Sequence, residues 1–322
     1  MATYKGIQGY TVQKLATDPP AAQSVGQLWY NSTTGAYKIG TEGAGSWAAT
    51  PSLNTGRSEA GGCGTVTAGL IYGGEPPTTD KTESWDGSTW TEVADLQAAN
   101  YGSGGAGTQT AALSIGANAS GQTEIWNGTS WAETNNLTTG RARGGASVSG
   151  TTTACLFAGG QTYPTIYAVT ESWNGTSWTE VADLNLARNF PGGLGVQTAM
   201  LFVGGASTLT EPTSLQALTE SWNGTSWTEV NNINTARNKM GASGITTSGL
   251  IFGGSPSAVA LTEKYDGTSW TEVGDLGTAE SETVGFGTSG AAICVGGNSA
   301  PTDQISQEWT DPVYAIKTVT VS

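Results

Sequence analysis

Four of the five arginines in this 322-residue chain recur at one place, four residues beyond a Leu or Ile: Arg57, Arg141, Arg188 and Arg237. Asn100 and Glu280 occupy the same place in two further copies, and Arg143 is the remaining arginine. Guanidinium groups bind carboxylates in forked pairs, so such a row suits carboxylate ligands or an acidic partner segment. The other reading of the same row is a set of ties between successive loops. Tyr163, Tyr167 and Leu209 fall in the two long connections Gln161–Val169 and Ala206–Leu218, where loops on a rigid scaffold commonly carry recognition. With Arg57, Asn100, Arg141, Arg188 and Arg237 they make up the expected binding face.

Other chemistry is excluded early. The chain has no His, which removes Ser-His-Asp and Cys-His nucleophile pairs, His-ligated metals and an imidazole base. Its 26 acids against 12 bases give a net charge of −14, the wrong sign for nucleic acid. No Asp-x-Asp-x-Asp run supports a calcium loop. Cys63, Cys155 and Cys294 are too scattered for a thiolate metal site or a disulfide framework and read as small buried apolar residues. The start MATYKGIQGY lacks the basic and apolar regions of a secretory signal, and no run of eighteen apolar residues occurs, so no membrane insertion is expected. No catalytic residue, cofactor or metal is expected.

The elements that must position these residues come from a repeat. The phrase Thr-Glu-Ser-Trp-Asn-Gly-Thr-Ser-Trp recurs with small changes, its first aromatic at Trp85, Trp126, Trp173, Trp222, Tyr265 and Trp309. A second Trp follows five residues later at Trp90, Trp131, Trp178, Trp227 and Trp270. An apolar run closed by small residues precedes each copy, as in Leu-Phe-Val-Gly-Gly ending at Gly205. Each copy reads as four short strands, with Asp-Gly or Asn-Gly turning the last two into a hairpin. Four-stranded units of this length, repeated, make an all-β propeller. The Asn-Gly-Thr triplets at Asn127, Asn174 and Asn223 read as these turns rather than as glycosylation sites. Trp47 stands near the N-terminus where the sixth copy lacks its second Trp, which predicts six blades with an N-terminal strand closing the ring. The alternative is a partial seventh blade from residues 27–47 and 313–321.

The order Leu184, Arg188, Gly204-Gly205, Trp222 and Trp227 resembles the Kelch repeat over roughly residues 53 to 309. One departure is that Trp usually stands where the family has Tyr before the turn. The resemblance implies a six-bladed Kelch-like β-propeller with four-stranded blades. Ahead of it, Gly26–Lys38 (GQLWYNSTTGAYK) predicts an aromatic hairpin after an extended Thr17-Asp18-Pro19-Pro20 linker. That segment resembles parts of phage tail-fibre and other virion proteins, and the Trp-Asn-Gly-Thr-Ser-Trp repeats are similar to those of marine phage proteins.

These readings give three segments: a docking arm and hairpin over 1–46, a propeller over 47–309 and a C-terminal strand over 310–322. The arm would dock through Leu28, Trp29, Tyr30 and Tyr37. The resemblance implies a non-enzymatic virion protein of the tail, fibre or capsid decoration, made in the host cytoplasm and forming a homo-oligomer in the particle. Its partners would be other virion proteins and a host surface protein or glycan. The alternatives are a cellular Kelch-type interaction module and a glycosidase-like propeller. For the last, Ser84–Trp90 resembles a sialidase Asp-box one residue short, with no Tyr-Glu nucleophile pair beside it.

Overall fold

The computed structural model describes residues 12–43, 45–210, 212, 214–298, 303–312 and 314–320; the start MATYKGIQGY, Val313 and Val321 lie outside them. Among the described residues the chain is all-β, with a three-residue 3-10 turn at Ala21–Gln23 as its one helical piece. Strands are short because each repeat alternates apolar runs with Gly, Asn and Asp turns. They form seven four-stranded sheets and one two-stranded hairpin. This is the architecture of a β-propeller.

Six of the four-stranded sheets lie within a compact unit, Ser46–Thr310. The first comprises Gly61–Thr65, Ala68–Tyr72, Thr82–Trp85 and Trp90–Glu92, antiparallel and in chain order. The second to fifth repeat this plan, opening at Gly104, Gly145, Gly192 and Gly241. The sixth takes Val284–Gly287, Ala291–Val295 and Ser306–Thr310, then Ser46–Ala49 as its last strand, with Trp47 opposite Trp309. In the other sheets the same register sets the two aromatics of each phrase opposite one another, as in Trp85 and Trp90.

The core lies between sheets rather than within them. Cys63, Leu70 and Tyr72 of the first sheet pack with Ala112, Trp126 and Trp131 of the second. Val284, Phe286 and Ile293 of the sixth pack with Ile71 and Trp85 of the first. The indole N–H of an outer Trp crosses to a buried Thr of the preceding sheet: Trp131 to Thr82, Trp227 to Thr170 and Trp47 to Thr262, each at 3.0 Å. The Gly-rich first strands lie side by side from one sheet to the next. Glycine is required there because a Cβ on Gly105 would sit 2.2 Å from the Gly62 carbonyl oxygen, and one on Gly193 2.5 Å from that of Ala146.

The second compact unit joins residues 1–45 to 311–322. The aromatic hairpin, Leu28–Asn31 with Ala36–Glu42, forms with Tyr30 opposite Tyr37. Gln13–Leu15 adds in parallel on one side and Tyr314–Thr318 antiparallel on the other. The segment expected to be an extended linker is instead tied down: the Asp18 carboxylate accepts hydrogen bonds from the Trp29 indole (2.9 Å) and the Asn31 amide (2.6 Å).

Candidate functional site

Every sheet of the propeller is entered through a connection that begins at a buried Leu or Ile, such as Leu53 or Leu184. In five of the six, the backbone one and two residues farther on passes under a glutamate from the third strand of the sheet being entered; in the sixth the Gly277 N–H donates to the Gln307 amide oxygen (2.7 Å). Glu171 accepts the Thr138 N–H (2.7 Å), the Thr138 hydroxyl (2.8 Å) and the Thr139 N–H (3.2 Å). Glu83, Glu220 and Glu263 accept equivalent bonds from Asn54, Asn185 and Asn234. The arginine that ends the connection then turns inward onto the same carboxylate.

This overturns the expected basic ring. Arg57, Arg141, Arg188 and Arg237 are at most 1% exposed, and each pairs with a glutamate Oε1: Arg57 with Glu83, Arg141 with Glu171 (2.5 Å), Arg188 with Glu220 (2.6 Å) and Arg237 with Glu263 (2.5 Å). Some of the remaining N–H groups reach backbone carbonyls, as from Arg141 to Gly159 (2.8 Å) and Thr139 (2.9 Å), while Arg188 Nε and Arg237 Nε and Nη2 are buried without a hydrogen-bond partner. Arg141 and Arg188 also lie over the rings of Phe157 and Phe202, at 5.1 and 4.8 Å. Burial lowers the Arg57, Arg141 and Arg188 pKa values, and the glutamates oppose that shift. A guanidinium enclosed by its own chain offers nothing to a partner. Asn100, only 1% exposed, is likewise withdrawn from the binding face. These residues tie each connection to the sheet it enters. The glutamates, part of the repeated phrase, received no role from sequence reasoning; the Arg–Glu coincidence in four copies was the available signal.

Two residues beyond each of these positions the chain adopts a left-handed conformation, with φ between 51° and 69° at Glu59, Gly102, Arg143, Phe190, Lys239 and Glu282. The backbone N–H of each donates to the carbonyl of the one before, from Gly102 to Glu59 at 2.7 Å through to Glu282 on Lys239 at 2.7 Å, and Glu59 donates to Glu282 at 3.1 Å. These bonds hold conformations that cost non-glycine residues of order 1 kcal/mol or more each. The side chains surround a cavity of about 100 Å³, above one of about 110 Å³ lined by the Gly-rich first strands. Their charges pair with one another: Arg143 with Glu59 (2.7 Å), Lys239 with Glu282 (3.0 Å). Both cations lie against Phe190, at 4.9 and 5.1 Å from its ring centre. Arg143, outside the sequence pattern of the other arginines, belongs to this belt.

The long connections hold two of the large apolar residues exposed among the described residues of Ser46–Thr310, the others being Val196 and Ile245. Gln161–Thr162 and Thr165–Ile166 form the two-stranded hairpin, which lifts Tyr163 to 81% exposure; Leu209 is 42% exposed and Tyr167 half-buried. Tyr163 and Leu209 flank a pocket of about 230 Å³ whose other walls are Gln161, Asn189, Phe190, Ala206 and Thr208. Asn189 is buried, donates its amide to Gln161, and leaves Oδ1 without a hydrogen-bond partner. The pocket therefore combines aromatic and aliphatic walls with two amides and no charged group.

In the arm, Leu28 and Tyr37 are exposed, Tyr30 is half-buried, and Trp29 is 2% exposed. Trp29 thus belongs to the arm's own core, held by Asp18, and drops out of the expected docking set. Cys63, Cys155 and Cys294 are fully buried, and burial pushes their thiols up to about 12, 11 and 12. Among the described residues no three His, Cys, Asp or Glu side chains gather as a metal site, and no helix is long and apolar enough to cross a membrane.

No family model matches the sequence, and no curated protein does. Among solved structures the chain is similar to that of YjhT, with a TM-score of 0.64 and 11% identity over 85% of this chain and 100% of that one. At that identity the likeness shows the β-propeller fold alone.

Proposed function

We propose that this chain is a phage virion structural protein, of the tail, fibre or capsid decoration, presenting a six-bladed Kelch-like propeller for attachment. Six blades are supported by the six sheets of Ser46–Thr310, by the backbone hydrogen bonds that run from Glu59 through all six connections back to Glu59, and by the core shared between the sixth and first sheets. The Trp47 strand is the closing strand of that ring, and the seventh four-stranded sheet falls in the other compact unit.

The observation that carries the recognition reading is the uncharged pocket between Tyr163 and Leu209, the exposed apolar feature of the loop face. Large apolar side chains held at high exposure on a rigid scaffold lose little entropy on binding, which favours contact with a host surface protein, a glycan or a neighbouring virion protein. The belt cations are already matched by acids, which favours binding over catalysis. The arm unit, with Leu28 and Tyr37 exposed and sheet edges at Gln13–Leu15 and Tyr314–Thr318, suits docking by strand addition to other virion proteins or further copies of the chain.

The test is a host-cell and particle binding assay with Tyr163→Ala/Leu209→Ala and, separately, a deletion of residues 1–25. The double variant is expected to enter particles and lose surface binding, and the deletion to do the reverse. Unchanged surface binding by the double variant contradicts the assignment of the loop face. Recovery of the chain with a soluble cellular protein, and never with particles, would favour a cellular Kelch-type module.

A further inference from the structure

The second sheet keeps the glutamate of the repeat but not its arginine. Glu124 stands where Glu83, Glu171, Glu220 and Glu263 stand, and Asn100 occupies the arginine place. Glu124 is 1% exposed and accepts the Gln97 N–H at 2.8 Å through Oε2. Its Oε1 has no side-chain partner. In the four sister sheets that same atom is the one that meets the guanidinium.

The surroundings have changed along with the arginine. The residue opposite this glutamate in the neighbouring strand is Ile71, Phe157, Phe202 or Ile251 in the sister sheets, and Ser114 here. Ser114 is fully buried, and its hydroxyl lies 3.5 Å from the Asn100 amide nitrogen. Asn100 Oδ1 is also buried without a partner. An Arg facing an Ile or Phe has thus become an Asn facing a Ser, which replaces bulk and positive charge by small neutral polar groups, the Asn100 amide nitrogen towards Ser114 and its Oδ1 towards Gly73. Glu133, opposite Glu124 on its other side, adds negative field.

An ionised carboxylate buried without a cation is among the costliest groups a fold can carry. Burial indeed raises the Glu124 pKa, while the Gln97 and Ala98 N–H groups oppose the shift. We propose that Glu124 and Ser114, with the Asn100 amide turned over to bring Oδ1 beside Ser114, form a binding site for a small monovalent cation of potassium or ammonium size, which takes the role of the missing guanidinium. A single carboxylate with neutral oxygen donors suits one positive charge, and oxygen donors suit a hard cation. This site is independent of the loop pocket and of the virion reading.

The test is thermal unfolding of the full chain in potassium chloride against tetramethylammonium chloride at constant total salt. The wild type is expected to gain roughly 3–5 °C as potassium rises about a hundredfold into excess over its Kd, and nothing from tetramethylammonium. Glu124→Gln, which keeps the side-chain shape, and Asn100→Arg, which restores the sister pair, are both expected to lose that response. A rubidium-soaked crystal is expected to give an anomalous peak beside Glu124 Oε1. A wild type indifferent to potassium, a Glu124→Gln variant that responds as the wild type does, or a crystal without that peak would each overturn the proposal.

Discussion

Replacing Arg141 by Met should destabilise the propeller strongly while leaving the loop face able to bind. The guanidinium is fully buried, pairs with Glu171 at 2.5 Å and donates to the carbonyls of Gly159 and Thr139. Methionine fills similar length beside Phe157 but leaves the Glu171 carboxylate at 0% exposure with only its Thr138 and Thr139 donors. Removing one member of a buried pair costs about 3–5 kcal/mol, because the remaining charge is left uncompensated. For a unit of this size that is a fall in Tm of roughly 6–10 °C. The double variant Arg141→Met/Glu171→Gln, which also removes the stranded charge, should recover part of the loss, since paired groups are not additive. Urea unfolding of both variants, beside a surface-binding assay, reads stability and recognition on the same preparations. A loss below about 1 kcal/mol together with abolished binding would refute the structural role and restore the arginines as a ligand site.

Other outcomes follow from the same packing. Trp47→Ala should cost about 3–5 kcal/mol, since Trp47 is 9% exposed, packs against Phe252 at 4.7 Å and bonds Thr262; an unchanged urea midpoint would remove it from the core. Ellman's reagent should label none of the three cysteines in the native protein and all three in denaturant; rapid native labelling would contradict their burial. Hydrogen bonds from Asn31 and Trp29 hold the Asp18 pKa below its ordinary 3.8. Its contribution to the arm is therefore full above about pH 4 and is lost as pH falls through the lowered value. Exchange of the Trp29 indole N–H should accelerate in that acid range and be fast at all pH in Asp18→Ala, which removes the acceptor; an acid-independent rate would break the link.

The sheets were legible because the repeat carries period, turn and aromatic register together: Asn174-Gly175 fixes the hairpin, and Trp173 must then face Trp178. The pairing of Trp47 with Trp309 was legible for the same reason, as one member missing from a counted series. The arginines misled because spacing locates a residue on a connection without saying which way its side chain turns. That direction depends on Glu83 and its counterparts about 26 to 32 residues later, a contact made only once the sheet forms. The belt was hidden by its composition, since Glu59, Gly102, Arg143, Phe190, Lys239 and Glu282 share a backbone conformation and no chemistry. Trp29 was misassigned because an aromatic in a hairpin gives no sign of its face, and the acceptor at Asp18 lies eleven residues away.

The proposed virion role puts the loop face outward. Cryo-electron microscopy of purified particles, with this chain identified by mass spectrometry, tests it most directly. A virion component of this kind is expected as six-bladed density at a fixed copy number, with the arm unit against the particle and the Tyr163–Leu209 loops exposed. Particles that lack the chain, or that carry it with those loops buried against the particle and the arm free, would contradict it.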